Sequence, residues 1–275
     1  MIDTARLMSI ALEMSSLTEV PGDSAIMHPG DGIHRILFGI DVRSAELKIA
    51  KDLGFDAAIS HHPVGGPSML RFHEVLWRHV DQMTSAGVPA DVARQTIAPV
   101  AEGRRILNSM SNFDHDPSIA RLLDLPFMNI HTPLDEIGRG RLAAVAATLG
   151  EEARVTDLCT AFYDGFGEFR HADTKIEVRA GHAEGRLGRV AVSHGAGTNG
   201  GYAVAKAYFD HGVDTLVYIH CRPDEAQRIE AEYAGAKNLV VTGHIASDSV
   251  GINPYIARLR GMGLDVTPIS GIIPA

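Results

Sequence analysis

The sequence predicts an α/β protein built from two related α/β halves. Short apolar runs typical of buried strands alternate with amphipathic helices along most of the 275 residues. A weak internal similarity supports two halves, because residues 53–62 and 211–220 both read Gly-x-Asp, then an apolar strand and a histidine. A helix that ends in glycine before a strand is common in α/β proteins, so this similarity can also arise by chance.

The first elements of the chain predict a parallel sheet. Apolar side chains recur at helical spacing over residues 3–15. A predicted strand at 35–41, a helix at 44–54 and a strand at 55–60 follow. This βαβ order implies a parallel strand pair with a right-handed crossover.

The middle of the chain is predicted to be rich in helices. Residues 69–125 contain two long amphipathic segments, and Pro99 is expected to break or kink the second. The chain then returns to a strand at 126–133 and a helix at 136–150. We interpret 69–125 as a helical insertion in an N-terminal lobe.

The second half repeats this alternation of strands and helices. Strands are predicted at 175–181, 189–195, 214–220 and 238–244, and helices at 199–211, 224–234 and 248–261. The predicted lobes are residues 1–138 and 139–275, with an uncertain boundary and a C-terminal segment able to pack on the first lobe.

Composition and charge exclude several functional classes. The net charge is −9 and no basic block occurs, so no nucleic-acid partner is expected. Two cysteines without CxxC spacing indicate no disulfide framework. The N-terminal residues do not resemble a signal peptide, and no apolar run approaches the roughly 20 residues needed to cross a bilayer. These features predict a cytoplasmic protein that does not bind membranes.

Three polar clusters each follow a predicted strand, at residues 60–63, 131–135 and 243–248. In open parallel sheets, ligands bind beyond the carboxyl ends of the strands, so clusters at such ends can converge in space. The clusters are rich in histidine and aspartate, and imidazole and carboxylate groups bind zinc, iron or manganese. The three clusters together favour a metal site.

The consecutive histidines His61 and His62 are the most specific feature. Neighbouring residues of a regular strand point to opposite faces and cannot easily hold one ion. Pro63 is expected to end the strand, which lets the two rings diverge toward two neighbouring ions.

The other two clusters each hold a histidine and an aspartate four residues apart. His131 with Asp135, and His244 with Asp248, would lie on one face of a helical turn. Each pair could supply two ligands, or one ligand and its supporting partner. Taken alone, each pair is more typical of a helix cap and turn.

Weaker signals come from a glycine-rich stretch and further histidines. Residues 193–202 lie between a strand and a helix and could approach a phosphate, but they match neither nucleotide-binding glycine motif, so a tight turn is an equal alternative. His220 would approach the site if the two halves are related, although a structural role is the simpler reading. His73 and His79 are predicted to be solvated residues of an amphipathic helix.

The order of these motifs resembles the Nif-three-like family, whose bacterial members are often described as GTP cyclohydrolase I type 2 homologues. The resemblance rests on His-His-Pro, then His-Thr-x-x-Asp, then Gly-His-x-x-x-acid, with the glycine-rich segment in the second half. It implies a dinuclear metal centre in a cleft between two α/β lobes, and ring-shaped assemblies that are commonly hexamers. The implied metal ligands are His61, His62, Asp135, His244 and Asp248, and His131 matches the motif as a less certain ligand.

The chain departs from the family pattern at three places. Asp248 stands where the family usually has glutamate, and the shorter side chain could alter bridging or metal choice. The segment between His62 and His131 is long for a bacterial member, and a Val-Gly-Gly stretch follows the His-His-Pro. None of these departures removes a residue of ligand type.

The sequence therefore predicts a hydrolase-like protein that depends on two divalent ions per subunit. A small anionic substrate, such as a nucleotide or phosphoester, is expected, with His131 and His220 as candidate catalytic residues that act as a base or orient another group. The alternative is a non-catalytic metal-binding regulatory or scaffold protein. A third reading, a binding protein without metal, requires the clusters to lie far apart.

Overall fold

A computed structural model describes residues 2–233 and 235–275 and shows the predicted mixed α/β fold. The helices are Thr4–Ser15 (α1), Ser44–Asp52 (α2), Gly66–Leu70 (α3), Phe72–Val75 (α4), Arg78–Ser85 (α5), Ala90–Ser109 (α6), His115–Leu123 (α7), Thr132–Ala146 (α8), Val155–Gly165 (α9), Gly167–His171 (α10), Gly201–Asp210 (α11), Pro223–Tyr233 (α12) and His244–Gly261 (α13). The strands are Ala25–His28 (β1), Arg35–Gly39 (β2), Ala57–Ser60 (β3), Phe127–Asn129 (β4), Glu177–Ala180 (β5), Val190–Val192 (β6), Thr215–Tyr218 (β7), Asn238–Val241 (β8) and Asp265–Ile269 (β9).

Two sheets with the same strand order organise these elements. The first has the order β1-β4-β3-β2-β9, and the second has the order β5-β8-β7-β6. In each sheet the first strand along the chain pairs antiparallel at one edge, and the following three run parallel. Strand β9 adds to the first sheet by pairing parallel to β2. The βαβ unit expected from residues 35–60 is present as β2, α2 and β3.

Several boundaries differ from the sequence-based expectations, for physical reasons. Helices α8 and α13 begin four residues earlier than predicted, because their first turns contain Pro133 or polar residues that read as loop. Helix α6 continues through Pro99, so the expected break is absent. The predicted helix 224–234 is found as α12, and its last predicted residue lies outside the described residues.

The chain divides into two compact units. Residues 2–75, 102–137 and 251–272 form the first unit, which holds the first sheet. Residues 76–101, 138–233, 235–250 and 273–275 form the second unit, which holds the second sheet. Independent folding of these units as lobes stays a prediction.

Each unit has its own apolar core. In the first unit, Leu47 of α2 and Phe127 of β4 belong to one buried cluster. In the second unit, Phe162 of α9 packs in a cluster that includes Val217 and Val240 of the central strands. Both cores lie between helices and a sheet, as expected for α/β architecture. Within the described residues, no helix is both long and apolar enough to span a membrane.

One sequence-based expectation about the helical insertion is wrong. His79 of α5 was expected to be solvated, yet its side chain is fully buried. Burial lowers the pKa of His79 to about 4, because a charged ring is poorly solvated there; the Thr198 carbonyl opposes this shift, and Arg78 adds to it. The neutral ring is thus part of the folded interior at neutral pH.

We expect a large difference between two substitutions on α2. Leu47→Ala should lower the free energy of unfolding by about 2–5 kcal/mol, because it empties a fully buried position. Ile49→Ala, on the same helix but 51% exposed, should change it by less than about 1 kcal/mol. Urea unfolding of both variants measures this contrast, and equal losses would contradict the assigned packing of α2.

The lowered pKa of His79 predicts that the free energy of unfolding decreases in acid. The unfolded chain binds a proton here near pH 6.5, whereas the folded chain does so only near pH 4. Stability from this residue should therefore be complete above about pH 6.5 and fall by roughly 3 kcal/mol as the pH drops to 4. Urea unfolding at pH 7 and pH 4.5 should show a smaller pH effect in His79→Gln than in the parent. An unchanged pH dependence of stability in His79→Gln would refute the assignment.

Candidate metal centre

The carboxyl ends of β3 and β4 bring the first two polar clusters together. The strands are parallel neighbours, with Ser60 opposite Asn129, and the Ile130 N–H donates to the Ser60 carbonyl at 3.0 Å. His61 and His62 leave β3 at this edge, and His131 leaves β4 beside them. The sheet register therefore makes distant histidines neighbours.

The three imidazole rings form a compact group. Ring centroids of His61 and His131 are 4.9 Å apart, those of His61 and His62 are 5.2 Å apart, and those of His62 and His131 are 5.7 Å apart. Each ring offers a nitrogen within 4.8 Å of the other two. His61 is fully buried and His131 is 6% exposed, so these nitrogens face the protein interior. Such a group can hold a metal ion.

Each of the three rings is anchored through Nδ1. The His61 Nδ1 lies 3.0 Å from the Ile130 carbonyl, and the His62 Nδ1 lies 3.1 Å from Asp41 Oδ1. The His131 Nδ1 lies 2.7 Å from Asp23 Oδ2. Carbonyl and carboxylate oxygens only accept, so Nδ1 carries the proton in all three rings. In the neutral rings, Nε2 is then the atom with a lone pair for a metal.

The carboxylate of Asp135 completes this group. Asp135 lies in the first turn of α8, and its N–H donates to the His131 carbonyl at 3.1 Å. Its Oδ1 lies 3.1 Å from His61 Nε2, and its Oδ2 lies 3.6 Å from His131 Nε2. The i, i+4 spacing predicted from the sequence thus places both side chains on one helical turn. Asp135 is 4% exposed, so the negative charge is buried beside the imidazoles.

The pKa values follow from these neighbours. Burial lowers the pKa of His131, but the carboxylates of Asp135 and Asp23 raise it by more, so it lies above its ordinary value. The hydrogen bond from His62 lowers the pKa of Asp41, against a smaller opposing effect of burial. Without metal, the cluster therefore pairs protons with its carboxylates; a divalent cation would compete for the same sites.

The second unit contains a related group at the ends of β7 and β8. His220 follows β7, and its ring centroid lies 4.6 Å from that of His244, the first residue of α13. His244 Nε2 lies 3.4 Å from Asp248 Oδ2 one helical turn later. Asp248 is 1% exposed, whereas the His244 side chain is 39% exposed. The four-residue spacing of His131 and Asp135 at the start of α8 is thus repeated by His244 and Asp248 in α13.

A cavity of about 470 Å³ opens beside this second group. The residues that line it include His220, Cys221, His244, Lys175 and Arg179. Arg179 pairs with Glu177 at 2.6 Å. The cavity lies at the carboxyl ends of parallel strands, the place where α/β proteins commonly bind ligands.

The sequence-based site residues fall into these two groups. His61, His62, His131 and Asp135 come together in the first unit, and His220, His244 and Asp248 in the second. Sequence reasoning missed the anchors Asp23 and Asp41. Asp41 ends the predicted strand 35–41 and was visible as a carboxylate at a strand end. Asp23 precedes β1, a strand that the sequence did not predict, so no signal marked it.

A solved structure with a similar fold identifies the family. A NIF3 superfamily protein from Sphaerobacter thermophilus matches with a TM-score of 0.94 and 48% identity, over 98% of each chain. The chain belongs to the NIF3 superfamily. The predicted family resemblance is thereby confirmed. Neither a protein-family model nor a curated protein matches the chain.

Other solved structures of low sequence identity share the fold only. HcgD from Methanocaldococcus jannaschii, in its reduced form, matches with a TM-score of 0.55 at 13% identity, over 97% of this chain and 98% of that one. A Bacillus cereus protein related to NIF3 matches with a TM-score of 0.52 at 12% identity, over 97% and 96%. The fold is thus shared by proteins in which most side chains differ.

Asp23→Asn tests the anchoring of His131. The substitution removes a buried negative charge, and the amide can donate to Nδ1, which moves the ring proton to Nε2. That proton then lies among the neighbouring imidazoles and the Asp135 carboxylate and opposes a cation there. We expect the affinity for zinc or manganese to fall about 10- to 100-fold. Competition against a chelator measures this affinity.

Asp116→Asn is the matched control. Asp116 is also a buried aspartate of the first unit, where it accepts hydrogen bonds from the N–H and hydroxyl of Ser44. Its neutralisation should leave metal affinity within about 3-fold of the parent, since it does not touch the imidazoles. An equal loss in both variants would show that Asp23 acts only through general stability.

Proposed function

We propose that this NIF3 superfamily protein is a hydrolase-like protein that depends on a dinuclear centre of divalent ions. The observation that carries the proposal is the Nδ1 anchoring of three clustered imidazoles, which leaves Nε2 as the ligand atom of each ring. The Nε2 atoms of His61 and His131 lie beside the buried carboxylate of Asp135. Anchored imidazoles beside a carboxylate suit zinc, iron or manganese. The proposed ligands are His61, His62, Asp135, His244 and Asp248.

The consecutive histidines support a pair of ions. The rings of His61 and His62 are inclined by 39° with centroids 5.2 Å apart, and their Nδ1 atoms have different anchors. We therefore assign each ring to a different ion. Asp135 or Asp248 is proposed to bridge them, because a carboxylate offers two oxygens.

His131 and His220 are proposed to handle protons and orientation. His131 holds its Nδ1 proton on Asp23, so Nε2 is the atom that accepts or returns a proton in the reaction. The ring of His220 packs against that of His244 and keeps it oriented. Divalent ions at this place supply Lewis acidity, which activates water near neutral pH and stabilises negative charge on a reacting oxygen.

The proposed substrate is a small anion, such as a nucleotide or another phosphoester. The cavity beside His220 and His244 has a volume of about 470 Å³. This is within the range of small-molecule sites, and Lys175 on its wall suits an anionic group. By family resemblance, the chain is also proposed to assemble as a homo-hexamer, which sedimentation equilibrium would test.

A non-catalytic metal-binding protein is the second candidate. The burial of His61, His131 and Asp135 favours it, because structural metal sites are closed whereas catalytic ones keep an open position. His244 and the cavity favour the hydrolase, because both reach solvent. Water exchange at a bound manganese ion, measured by relaxation of the solvent protons, would separate the two.

Metal analysis of purified protein tests the centre. The parent should hold about two equivalents of divalent metal per chain, and His61→Ala and Asp248→Ala should each lose at least one. His115→Ala, which removes an exposed histidine at the start of α7, should keep both. No metal in the parent, or unchanged content in both ligand variants, would reject the centre. Absence of metal-dependent turnover across nucleotides and phosphoesters would instead favour the scaffold alternative.

A further inference from the structure

The glycine-rich loop between β6 and α11 has a row of unused backbone donors. The N–H groups of residues 195–199 make no hydrogen bond within the described part of the chain. Gly195, Ala196 and Asn199 are buried, and Gly197 and Thr198 are partly buried, so part of this row of donors is removed from solvent. Buried N–H groups are nearly always paired, and a run of unpaired ones therefore indicates an acceptor from outside the chain.

The sign of φ alternates along this loop, a pattern shared with anion-binding nests. Gly195 and Gly197 have φ angles of +70° and +74°, and positive φ does not occur at Ala196 or Thr198. Alternation of left- and right-handed conformations turns successive N–H groups toward one concave side. Only glycine adopts positive φ without strain, which explains its spacing here.

A buried side chain of α5 is directed at the same loop. The His79 ring is fully buried, and neither of its nitrogens reaches hydrogen-bond geometry with a protein group, although the Thr198 carbonyl is near. Its Nε2 lies 3.3 Å from the place where a side chain at Gly200 would begin. A buried imidazole with spare donor capacity at this place is a second indication of a ligand.

The surrounding charges suit an anion at the loop rather than at the helix that follows. Arg78 Nε donates to the Gly195 carbonyl at 2.8 Å, which places a guanidinium at the loop. The Glu225 carboxylate already faces the start of α11, where it accepts from the Tyr202 N–H at 3.4 Å. An added anion is therefore disfavoured at the helix terminus and favoured at residues 195–199.

The loop also touches a candidate catalytic residue. Asn199 Oδ1 accepts hydrogen bonds from the N–H groups of Ile219 at 2.7 Å and His220 at 3.4 Å. An anion held by the loop would therefore lie at the same sheet edge as His220.

We propose that residues 195–199 bind a tetrahedral oxyanion, the phosphoryl group of a small phosphoester, through their backbone N–H groups and the charge of Arg78. The role of this loop as a substrate subsite rests on the proposed function. Its binding of phosphate does not depend on that function. His79 contributes a hydrogen bond from its buried ring.

Inorganic phosphate, titrated into the full-length purified chain, is the probe. Amide resonances of Gly195 and Gly197 report directly on the loop, and calorimetry gives the affinity. We expect both resonances to shift with the same dissociation constant that calorimetry gives. Unshifted amides at saturating phosphate, or no binding at all, would overturn the proposal and leave bound water as the acceptor.

A matched pair at Thr198 tests the electrostatics. The Thr198 hydroxyl accepts from the Gly200 N–H, and Asp or Asn at this position can keep that bond. Thr198→Asp should weaken phosphate binding at least tenfold through charge repulsion, and Thr198→Asn should keep it within about threefold. Arg78→Gln removes a positive charge and should likewise weaken phosphate binding. It replaces Thr198→Asp as the test if Thr198→Asp does not fold. Equal affinities for all three variants would contradict the assignment.

His61→Ala separates this proposal from the metal-dependent activity. The substitution is expected to remove metal but leave the loop intact, so phosphate should bind with parental affinity. Loss of phosphate binding in His61→Ala would place the anion on the metal ions and overturn the loop assignment. If the parent protein holds no metal but still binds phosphate, the proposed dinuclear hydrolase is rejected and the phosphate site at the loop is retained.

Discussion

The candidate centre depends on the hydrogen bonds that hold the Nδ1 atoms of three histidines. An imidazole that is free to rotate or to exchange tautomers presents either nitrogen, and a cluster of such rings has no defined inner face. Here a backbone carbonyl and two carboxylates each fix one ring. The acceptors come from different segments: Asp23 precedes β1, Asp41 follows β2, and Ile130 follows β4. The first sheet must therefore be assembled before the rings are aligned.

The shared strand order of the two sheets explains why the site residues recur in pairs. By position, β3 corresponds to β7 and β4 to β8. His62 then corresponds to His220, and the pair His131 and Asp135 corresponds to His244 and Asp248. This agrees with the similarity of residues 53–62 and 211–220, in which Gly54 and Gly212 both have positive φ. The repeat thus consists of a shared strand order and of histidine and aspartate residues that follow corresponding strands.

The sequence predicted the parallel strands and the histidines at their ends because both signals are local. An apolar run of four or five residues followed by histidine is visible without knowledge of the fold. Strands β1 and β9 were missed because β1 is short with one buried residue, and β9 mixes polar residues with Pro268. Asp23 was missed for the same reason, since its role depends on β1 pairing with β4. The burial of His79 could not be predicted, because α5 is strongly amphipathic and only contacts with the glycine-rich loop decide which side is covered.

Strand β9 has a consequence for synthesis on the ribosome. It pairs with β2 along the whole of Arg35–Gly39, although about 225 residues of chain separate the two strands. At translation rates of about 5–20 residues per second, that edge of β2 stays unpaired for roughly 10–45 seconds after β2 is synthesised. An unpaired strand edge can meanwhile recruit strands from other nascent chains. We therefore expect that this edge must be protected during elongation, either by a chaperone or by slow docking of β2 itself. The need is no longer visible in the folded chain, where β9 covers the edge.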